Sequence, residues 1–200
     1  MAVGGYGKIR GQVLAVLRHD NLILAVLAVV IGTMVGWAVA GFRTIISAIQ
    51  SVGYGSSSEH LATIASALPA WQIIAVPCVG GLIVGLFYRF VLPGGRGVGV
   101  PHVIESSALK SGRMSLWPGL ASTIGSAASI GVGASVGREG PAVVLGATLS
   151  SWLGQQLNFG RSAMRILLGC GGAAAVAASF NVPIAGALFA HEVIVGHYAL

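Results

Sequence analysis

The stretch Gly131-Val132-Gly133-Ala134-Ser135-Val136-Gly137-Arg138-Glu139-Gly140-Pro141 decides how the rest of the chain is organised. It places an arginine beside a glutamate in a very apolar chain, and Ala142 to Leu157 after it is predicted to be helical. Pro141 suits a first helical turn, because the N–H group that proline lacks has no helical partner there. Gly137 and Gly140 let the backbone bend sharply. The stretch therefore predicts a glycine-rich loop that leads into a helix N-terminus.

This helix start is a predicted anion site. The first turn of a helix has unpaired N–H groups and a partial positive charge, and both attract anions. Glu139 places a carboxylate there, which can occupy the site itself or, once protonated or displaced, leave it to another anion. The alternative is that Glu139 only pairs with Arg138. Ionisable residues inside a membrane are usually functional. The first interpretation, in which Glu139 acts as a gate to the anion site, is therefore favoured.

The composition is that of an integral membrane protein. Of the 200 residues, 55% are hydrophobic and 8% are charged, and the mean hydropathy is +0.87. Soluble domains carry about 25% charged residues, so this chain has too little polar surface to cover a core in water. The net charge of +6 does not predict nucleic-acid binding, since the eleven basic residues are scattered between apolar segments.

Apolar segments of sufficient length predict a chain of membrane helices. Basic residues after alternate segments mark cytoplasmic turns. Gly32 and Gly36 form a Gly-x-x-x-Gly pair, which either packs closely against another helix or arises by chance in a glycine-rich chain. Cys78 and Cys170 are predicted to be small core residues. The predicted helices are Asn21 to Ile49, Trp71 to Val91, Leu116 to Ile130, Ala142 to Leu157, Ile166 to Ala178 and Pro183 to Val195.

The first residues differ from the rest. Residues 1–19 contain Lys8, Arg10 and Arg18 between apolar residues at roughly helical spacing. This pattern predicts an amphipathic helix on the cytoplasmic face, with a signal peptide as the alternative. Residues 20–200 are then the membrane domain, and Gln50 to Leu68, which has no Lys or Arg, is a predicted non-cytoplasmic loop.

A second glycine-rich junction, Pro93 to Pro101, precedes a helix predicted over His102 to Leu109. That helix is too short to span, and such half-helices occur at membrane depth only where protein or a wet cavity covers them. Asn181-Val182-Pro183 starts a third broken helix. Three helices that begin at Pro101, Pro141 and Pro183 are typical of proteins that pass ions.

These junctions resemble the CLC family of chloride channels and chloride–proton exchangers. Gly137-Arg138-Glu139-Gly140-Pro141 matches the family's Gly-Arg-Glu-Gly-Pro motif in full. Gly97-Val98-Gly99-Val100-Pro101 is similar to its Gly-Ser-Gly-Ile-Pro motif with two substitutions. Phe180 to Gly186, with Glu192 downstream, is similar to its Phe-Asn-x-Pro-Leu-Ala-Gly stretch and the glutamate that follows it.

The resemblance implies an all-α integral membrane fold made of two inverted repeats with broken and re-entrant helices, assembled as a homodimer. It covers the first repeat only, from about Asp20 onward, and the second repeat is absent. The chain is therefore expected to be a fragment, or one of two halves that must pair. A cell membrane, the bacterial inner membrane in particular, is the expected location.

The resemblance also implies roles for particular residues. Glu139 corresponds to the gating glutamate, which competes with the anion and carries the proton. Glu192 and His191 are candidates for a proton path, although Val193 stands where coupled exchangers often have a second glutamate. The anion-binding residues implied are Gly97, Val98, Gly99, Val100, Pro101, Gly137, Arg138, Gly140 and Pro141.

The predicted function is therefore transmembrane movement of a small inorganic anion through a glutamate-gated pore, as a channel or an anion–proton antiporter. Chloride is the first choice, but Val98 replaces the family's serine and leaves nitrate or fluoride open. The alternative is a non-conducting membrane subunit that packs against a second half. No enzyme, metal or cofactor is predicted, because no nucleophile–base set and no metal-ligand spacing is visible.

Overall fold

The computed structural model describes the backbone of residues 4–55 and 68–196 and the side chains of residues 22–55, 68–92 and 94–196. This part of the chain is helical, with no strand in it, as predicted. Three helical segments are long and apolar enough to cross a membrane: Leu22–Tyr54, Ala70–Val91 and Arg161–Phe180. The helices are α1 Gly4–Tyr54, α2 Ala70–Val91, α3 Val100–Ala108, α4 Leu116–Gly131, α5 Glu139–Gln156, α6 Arg161–Phe180 and α7 Pro183–Phe189.

The longest helix joins two segments that the sequence separates. The predicted amphipathic helix over residues 1–19 is helical from Gly4, where the description begins, and continues into the first span without a break as α1. The face that its side chains present lies outside the described residues and stays a prediction. The helix also runs past Ile49 to Tyr54, into the predicted loop, whose residues 56–67 lie outside the description.

The broken helices are confirmed close to their predicted starts. Pro101 is the second residue of α3, Pro141 the third of α5 and Pro183 the first of α7. Each proline lies in the first turn, where its missing N–H group leaves no hydrogen bond unmade. Helix α5 begins three residues before the predicted Ala142, so Glu139 belongs to the helix rather than to the loop before it. After α7 the chain continues as a π-helical turn, Ala190–Val195.

Glycines bring α5 and α6 into direct backbone contact. A side chain on Gly146 would collide with the carbonyl oxygen of Gly171, and one on Gly171 would collide with that of Gly146. The fully buried Ala147, Leu167 and Leu168 surround this crossing. Gly32 and Gly36 behave differently, because an added Cβ would meet nothing within 4 Å at either position. Their predicted close-packing face makes no such contact in the described chain.

Hydrogen bonds define the two ends of the molecule. At one end, Tyr54 at the end of α1 donates to the carbonyl of Val132, just after α4, at 2.8 Å. Helix α5 starts beside this point, so we call it the Glu139 end. At the other end, Ser151 near the end of α5 accepts from the amide of Met114, just before α4, at 2.7 Å. We call this the Lys110 end, after the residue in the turn between α3 and α4.

The basic side chains are divided unequally between these ends. Arg43, in the later part of α1, and Arg138 lie at the Glu139 end. The Lys110 end has the other basic side chains of the described residues: Arg89, Arg96, Lys110, Arg113, Arg161 and Arg165. This asymmetry predicts that the Lys110 end faces the cytoplasm.

Candidate functional site

The first turn of α5 positions Glu139 against the loop that precedes it. Arg138 is the N-cap residue, and its carbonyl accepts from the amide of Ala142 at 3.2 Å. The partly buried Glu139 side chain folds back, so that a Cβ on Gly137 would collide with its Oε2 atom. Only glycine at position 137 leaves room for this carboxylate. The acidic group therefore lies directly over the backbone of the motif, at the positive end of the helix.

Glu139 faces a cavity of about 630 Å³ between α1 and the loop before α5. Its charged lining groups are two guanidinium groups, from Arg43 and Arg138, and the Glu139 carboxylate. We call it the Glu139 cavity. Its lining consists of Arg43, Thr44, Ile46, Ser47, Gln50, Ile130, Val136, Gly137, Arg138 and Glu139.

Two backbone amides of the second glycine-rich loop donate hydrogen bonds to acceptors in the protein itself. Val98 donates to Ser122 Oγ in α4 at 2.7 Å, and Gly99 donates to His102 Nδ1 at 3.1 Å. Pro101 has no N–H group. Among the described residues, Val100 N–H has no assigned partner, because it begins α3 and no acceptor lies a turn earlier. Of the expected anion-binding residues in this loop, Gly97 and Val100 have backbone N–H groups that make no hydrogen bond to the described residues.

The two predicted anion-binding loops meet in space. A Cβ on Gly140, in the first turn of α5, would lie 3.8 Å from Val100 Cγ2, in the first turn of α3. The starts of α3 and α5, which are 39 residues apart in the sequence, are therefore neighbours. Val98 reaches Ser122, which is six residues after α4 begins, or about 9 Å along a helix that rises 1.5 Å per residue. We call this meeting point of the two helix starts the junction. It thus lies well inside the molecule.

A second cavity, of about 200 Å³, opens on the other side of this junction. We call it the Lys110 cavity. It contains Pro118 of α4, whereas the Glu139 cavity contains Ile130, so about 18 Å of helix separates the two. Its lining consists of Val98, His102, Ser106, Lys110, Arg113, Met114, Ser115 and Pro118.

Three residues that support the site are not apparent from the sequence. Ser122 accepts from Val98 and donates to the carbonyl of Pro118 at 2.7 Å. The Tyr88 ring fills the space that side chains on Gly97 and Gly125 would need, and its hydroxyl lies 3.2 Å from the carbonyl of Ser122. These contacts join positions far apart in the chain, so local spacing gives no signal for them.

Arg165 is the third supporting residue, and it satisfies the far end of α3. Its Nε and Nη2 atoms donate to the carbonyls of Ser107 and Ala108, the latter at 2.9 Å. The last carbonyls of a helix lack helical partners and carry a partial negative charge. A guanidinium group there stabilises the half-helix whose opposite end faces the junction.

Glu105 lies on the surface at the Lys110 end. Its carboxylate is 2.9 Å from Lys110 Nζ, and both side chains are about half exposed. The hydrogen bond and charge of Lys110 lower the pKa of Glu105 below its ordinary value. The stabilisation is thus present above the unfolded pKa and is lost as the pH falls through the lowered value. Water screens such a pair, so its contribution is small.

The predicted proton-path residues line neither the Glu139 cavity nor the Lys110 cavity. His191 and Glu192 are in the π-helical turn and are exposed in this chain. Among the described residues no three His, Cys, Asp or Glu side chains cluster as metal ligands would. Cys78 is exposed, so its predicted place in the core is wrong, whereas Cys170 is partly buried beside the core.

The chain is similar to known membrane proteins. A family model described as voltage gated chloride channel matches residues 80–200. The putative chloride channel protein ClcB-like of Ralstonia nicotianae is 36% identical over 174 residues, which cover 85% of this chain and 40% of that protein. The voltage-gated ClC-type chloride channel ClcB of Escherichia coli is 30% identical over 174 residues, which cover 85% of this chain and 41% of that protein.

A solved structure has the same fold. The crystal structure of a slow cyanobacterial Cl⁻/H⁺ antiporter matches with a TM-score of 0.67 at 23% identity, over 86% of this chain and 40% of that one. The chain therefore spans about two fifths of the length of these relatives.

Proposed function

The chain belongs to the voltage-gated chloride channel (CLC) family, and on that premise we propose that it moves a small inorganic anion, chloride first, across a membrane through a pore gated by Glu139. The observation that carries the proposal is the meeting of two helix starts at Gly140 and Val100. Backbone amides at helix starts hold a dehydrated anion without the strong pairing that would slow its release.

The position of Glu139 supports its role as the gate. Its carboxylate lies over Gly137, between the Glu139 cavity and the junction, and thus competes with an anion for the same positive region. When the carboxylate is protonated or moves aside, the anion takes its place. The alternative, a purely structural pair with Arg138, predicts no effect of Glu139 on transport beyond a loss of stability.

The set of anion-binding residues that we propose is smaller than the set that the two family motifs imply. Val100 N–H supplies a donor at the junction, and Gly137, Arg138, Gly140 and Pro141 form the loop on the other side. The amides of Val98 and Gly99 bind an anion only after their hydrogen bonds to Ser122 and His102 are broken. Gly97 supports the loop through its contact with the Tyr88 ring.

Proton coupling and assembly are further parts of the proposal. His191 and Glu192 lie on the surface of this chain, so a proton path through them needs a second protein surface to enclose it. The family to which the chain belongs supports assembly with a second copy or with a longer relative. A non-conducting subunit that pairs in this way is the second candidate function.

The test is anion efflux from liposomes that contain the purified chain, with the external pH recorded. Chloride, nitrate and fluoride are compared in parallel. We expect chloride efflux in the wild type and the loss of its pH dependence in Glu139→Gln. Glu105→Gln is the matched control, because Glu105 is a glutamate at the far end and should keep the wild-type pH dependence.

Each outcome separates the possibilities. Efflux with proton uptake means a coupled exchanger, and efflux without it means a channel. Efflux that appears only after co-reconstitution with a full-length relative supports the paired subunit. An unchanged pH dependence in Glu139→Gln would contradict the gate.

A further inference from the structure

Arg43 is a charged residue that none of the three motifs explains. It lies on α1, about 90 residues before the Gly-Arg-Glu-Gly-Pro motif, and yet it lines the same cavity as Glu139. Its side chain is exposed within this chain. Thr44, Ser47 and Gln50 follow it on α1 and add polar groups to the same wall.

The location of this arginine is unusual for a membrane protein. Lysine and arginine concentrate at the cytoplasmic ends of membrane helices. Six basic side chains of the described residues follow that rule at the Lys110 end, whereas Arg43 and Arg138 lie at the opposite end and line one cavity together. Arg138 belongs to the motif, so Arg43 is the charge that calls for a separate role.

The electrostatics of the cavity follow from its lining. The charged groups of the described lining are two guanidinium groups and one carboxylate, so positive groups outnumber negative ones there. A concave wall of low dielectric concentrates the field of such charges and raises the local concentration of counter-ions. The effect falls with salt, because the screening length shrinks from about 30 Å at 0.01 M to about 8 Å at 0.15 M ionic strength.

We propose that the Glu139 cavity is an antechamber for small monovalent anions, in which Arg43 of α1 collects the anion before it meets Glu139. Collection as a step of transport rests on the proposed function, whereas binding of the anion in the cavity does not. Arg43 is thus an anion-recruiting residue, and Glu139 is the next group along the path.

Chloride binding tests this directly, with ³⁵Cl line broadening on the detergent-solubilised chain and sodium gluconate to set the ionic strength. Arg43→Ala should weaken apparent chloride affinity about three- to tenfold at low ionic strength, as expected for a charge a few Å from the anion. Arg43→Lys should retain most of the affinity, and Arg43→Glu should lose the most. Arg89→Ala, which removes an exposed arginine from the last turn of α2 at the other end, is the control and should bind as the wild type does.

The difference between wild type and Arg43→Ala should narrow as ionic strength rises. Equal affinities in wild type and Arg43→Ala, with matching helical circular dichroism, would overturn the proposal. If Arg43→Ala does not fold, Arg43→Lys and Glu139→Gln test the proposal instead. Arg43→Lys should bind chloride nearly as the wild type does. Glu139→Gln removes a negative charge from the cavity and should bind chloride more tightly. Weaker binding in both contradicts the antechamber.

Flux measurements keep this proposal apart from the proposed function. In liposomes that conduct, Arg43→Ala should raise the chloride concentration for half-maximal flux and leave the maximal rate unchanged. A wild type that binds chloride in an Arg43-dependent manner but conducts nothing would remove the transport proposal and leave the antechamber. If the wild type conducts chloride, and Arg43 affects neither chloride binding nor the chloride concentration for half-maximal flux, the antechamber is removed and the transport proposal remains.

Discussion

Gly137 shows how a single missing side chain positions a functional group. The Glu139 carboxylate occupies the volume that a Cβ on Gly137 would need, so the two positions are sterically linked. Gly140, the second glycine of the same motif, has a different environment. A Cβ there would make only an ordinary contact, 3.8 Å from Val100 Cγ2. The two glycines of one motif therefore predict different consequences of the same substitution.

Gly137→Ala should displace the Glu139 carboxylate from the loop and increase anion flux at neutral pH. Because Oε2 is the end of a flexible side chain, the carboxylate can move away from the methyl group at a cost of about 1 kcal/mol, that of a side chain held off its preferred rotamer. A shift of this size in the competition between carboxylate and anion changes occupancy by a factor of about 5. Liposome efflux measures the effect, with Gly140→Ala as the control of equal size. Equal flux in the two variants would show that the contact between Gly137 and Glu139 has no part in gating.

Not every feature at the residue scale can be predicted from the sequence. Glu139 at a helix start follows from the glycines and Pro141 around it, because those residues act locally. The hydrogen bond from Val98 to Ser122 spans 24 residues and depends on how α2 and its loop pack against α4. The family resemblance assigns the Val98 amide to an anion, but the structure gives it a protein acceptor.

At the scale of the element, α3 is a half-helix held at both ends. Its start meets α5 at Gly140, and its last carbonyls accept from the Arg165 guanidinium group of α6. A helix of nine residues is not stable on its own, so these contacts are needed to hold its orientation. The prolines predict where such helices begin. Their partners could not be predicted, because α6 lies more than 50 residues further along the chain.

Arg165→Ala should destabilise α3 and lower the thermal midpoint. Hydrogen bonds to a charged group contribute about 1.5–3 kcal/mol each, and partial exposure reduces this to about 1–2 kcal/mol in total. For a chain of this size the expected change is about 2–8 °C, measured by circular dichroism in detergent. Arg165→Lys should recover part of the loss, since one ammonium group replaces a fork of donors. Arg161→Ala, one turn earlier in α6, is the control, and an equal loss there would contradict a specific role for Arg165.

At the scale of the whole molecule, the exposed surface is largely apolar. In the most apolar part of α2, only 6% of the residues are buried inside the chain. Trp37 of α1 and Phe90 of α2 are among the large apolar side chains that the chain exposes. This surface suits lipid or a second protein. It also explains the wrong prediction for Cys78, because hydropathy does not distinguish a residue that faces lipid from one in the core.

The unequal distribution of basic residues predicts that the Lys110 end is cytoplasmic, and two serines can test it. Ser115, before α4, and Ser135, in the loop before α5, are both exposed and lie at opposite ends. Ser135→Cys in a Cys78→Ala, Cys170→Ala background should react with an impermeant maleimide in intact cells. Ser115→Cys should react only after permeabilisation. The reverse pattern would invert the orientation of the chain and place Arg43 on the cytoplasmic side.

The two cavities also determine where a membrane voltage acts. In the proposed pore, water entering both cavities would carry the bulk potential inward, and the voltage would fall mostly between them, where Gly140 meets Val100. One charge that crosses 100 mV changes in energy by about 2.3 kcal/mol. A displacement of only a few Å by an anion at the junction, or by the Glu139 carboxylate at its edge, would therefore move charge through much of the electric field. If Glu139 is the gate, the shape of the two cavities would make a small movement of its side chain sensitive to voltage.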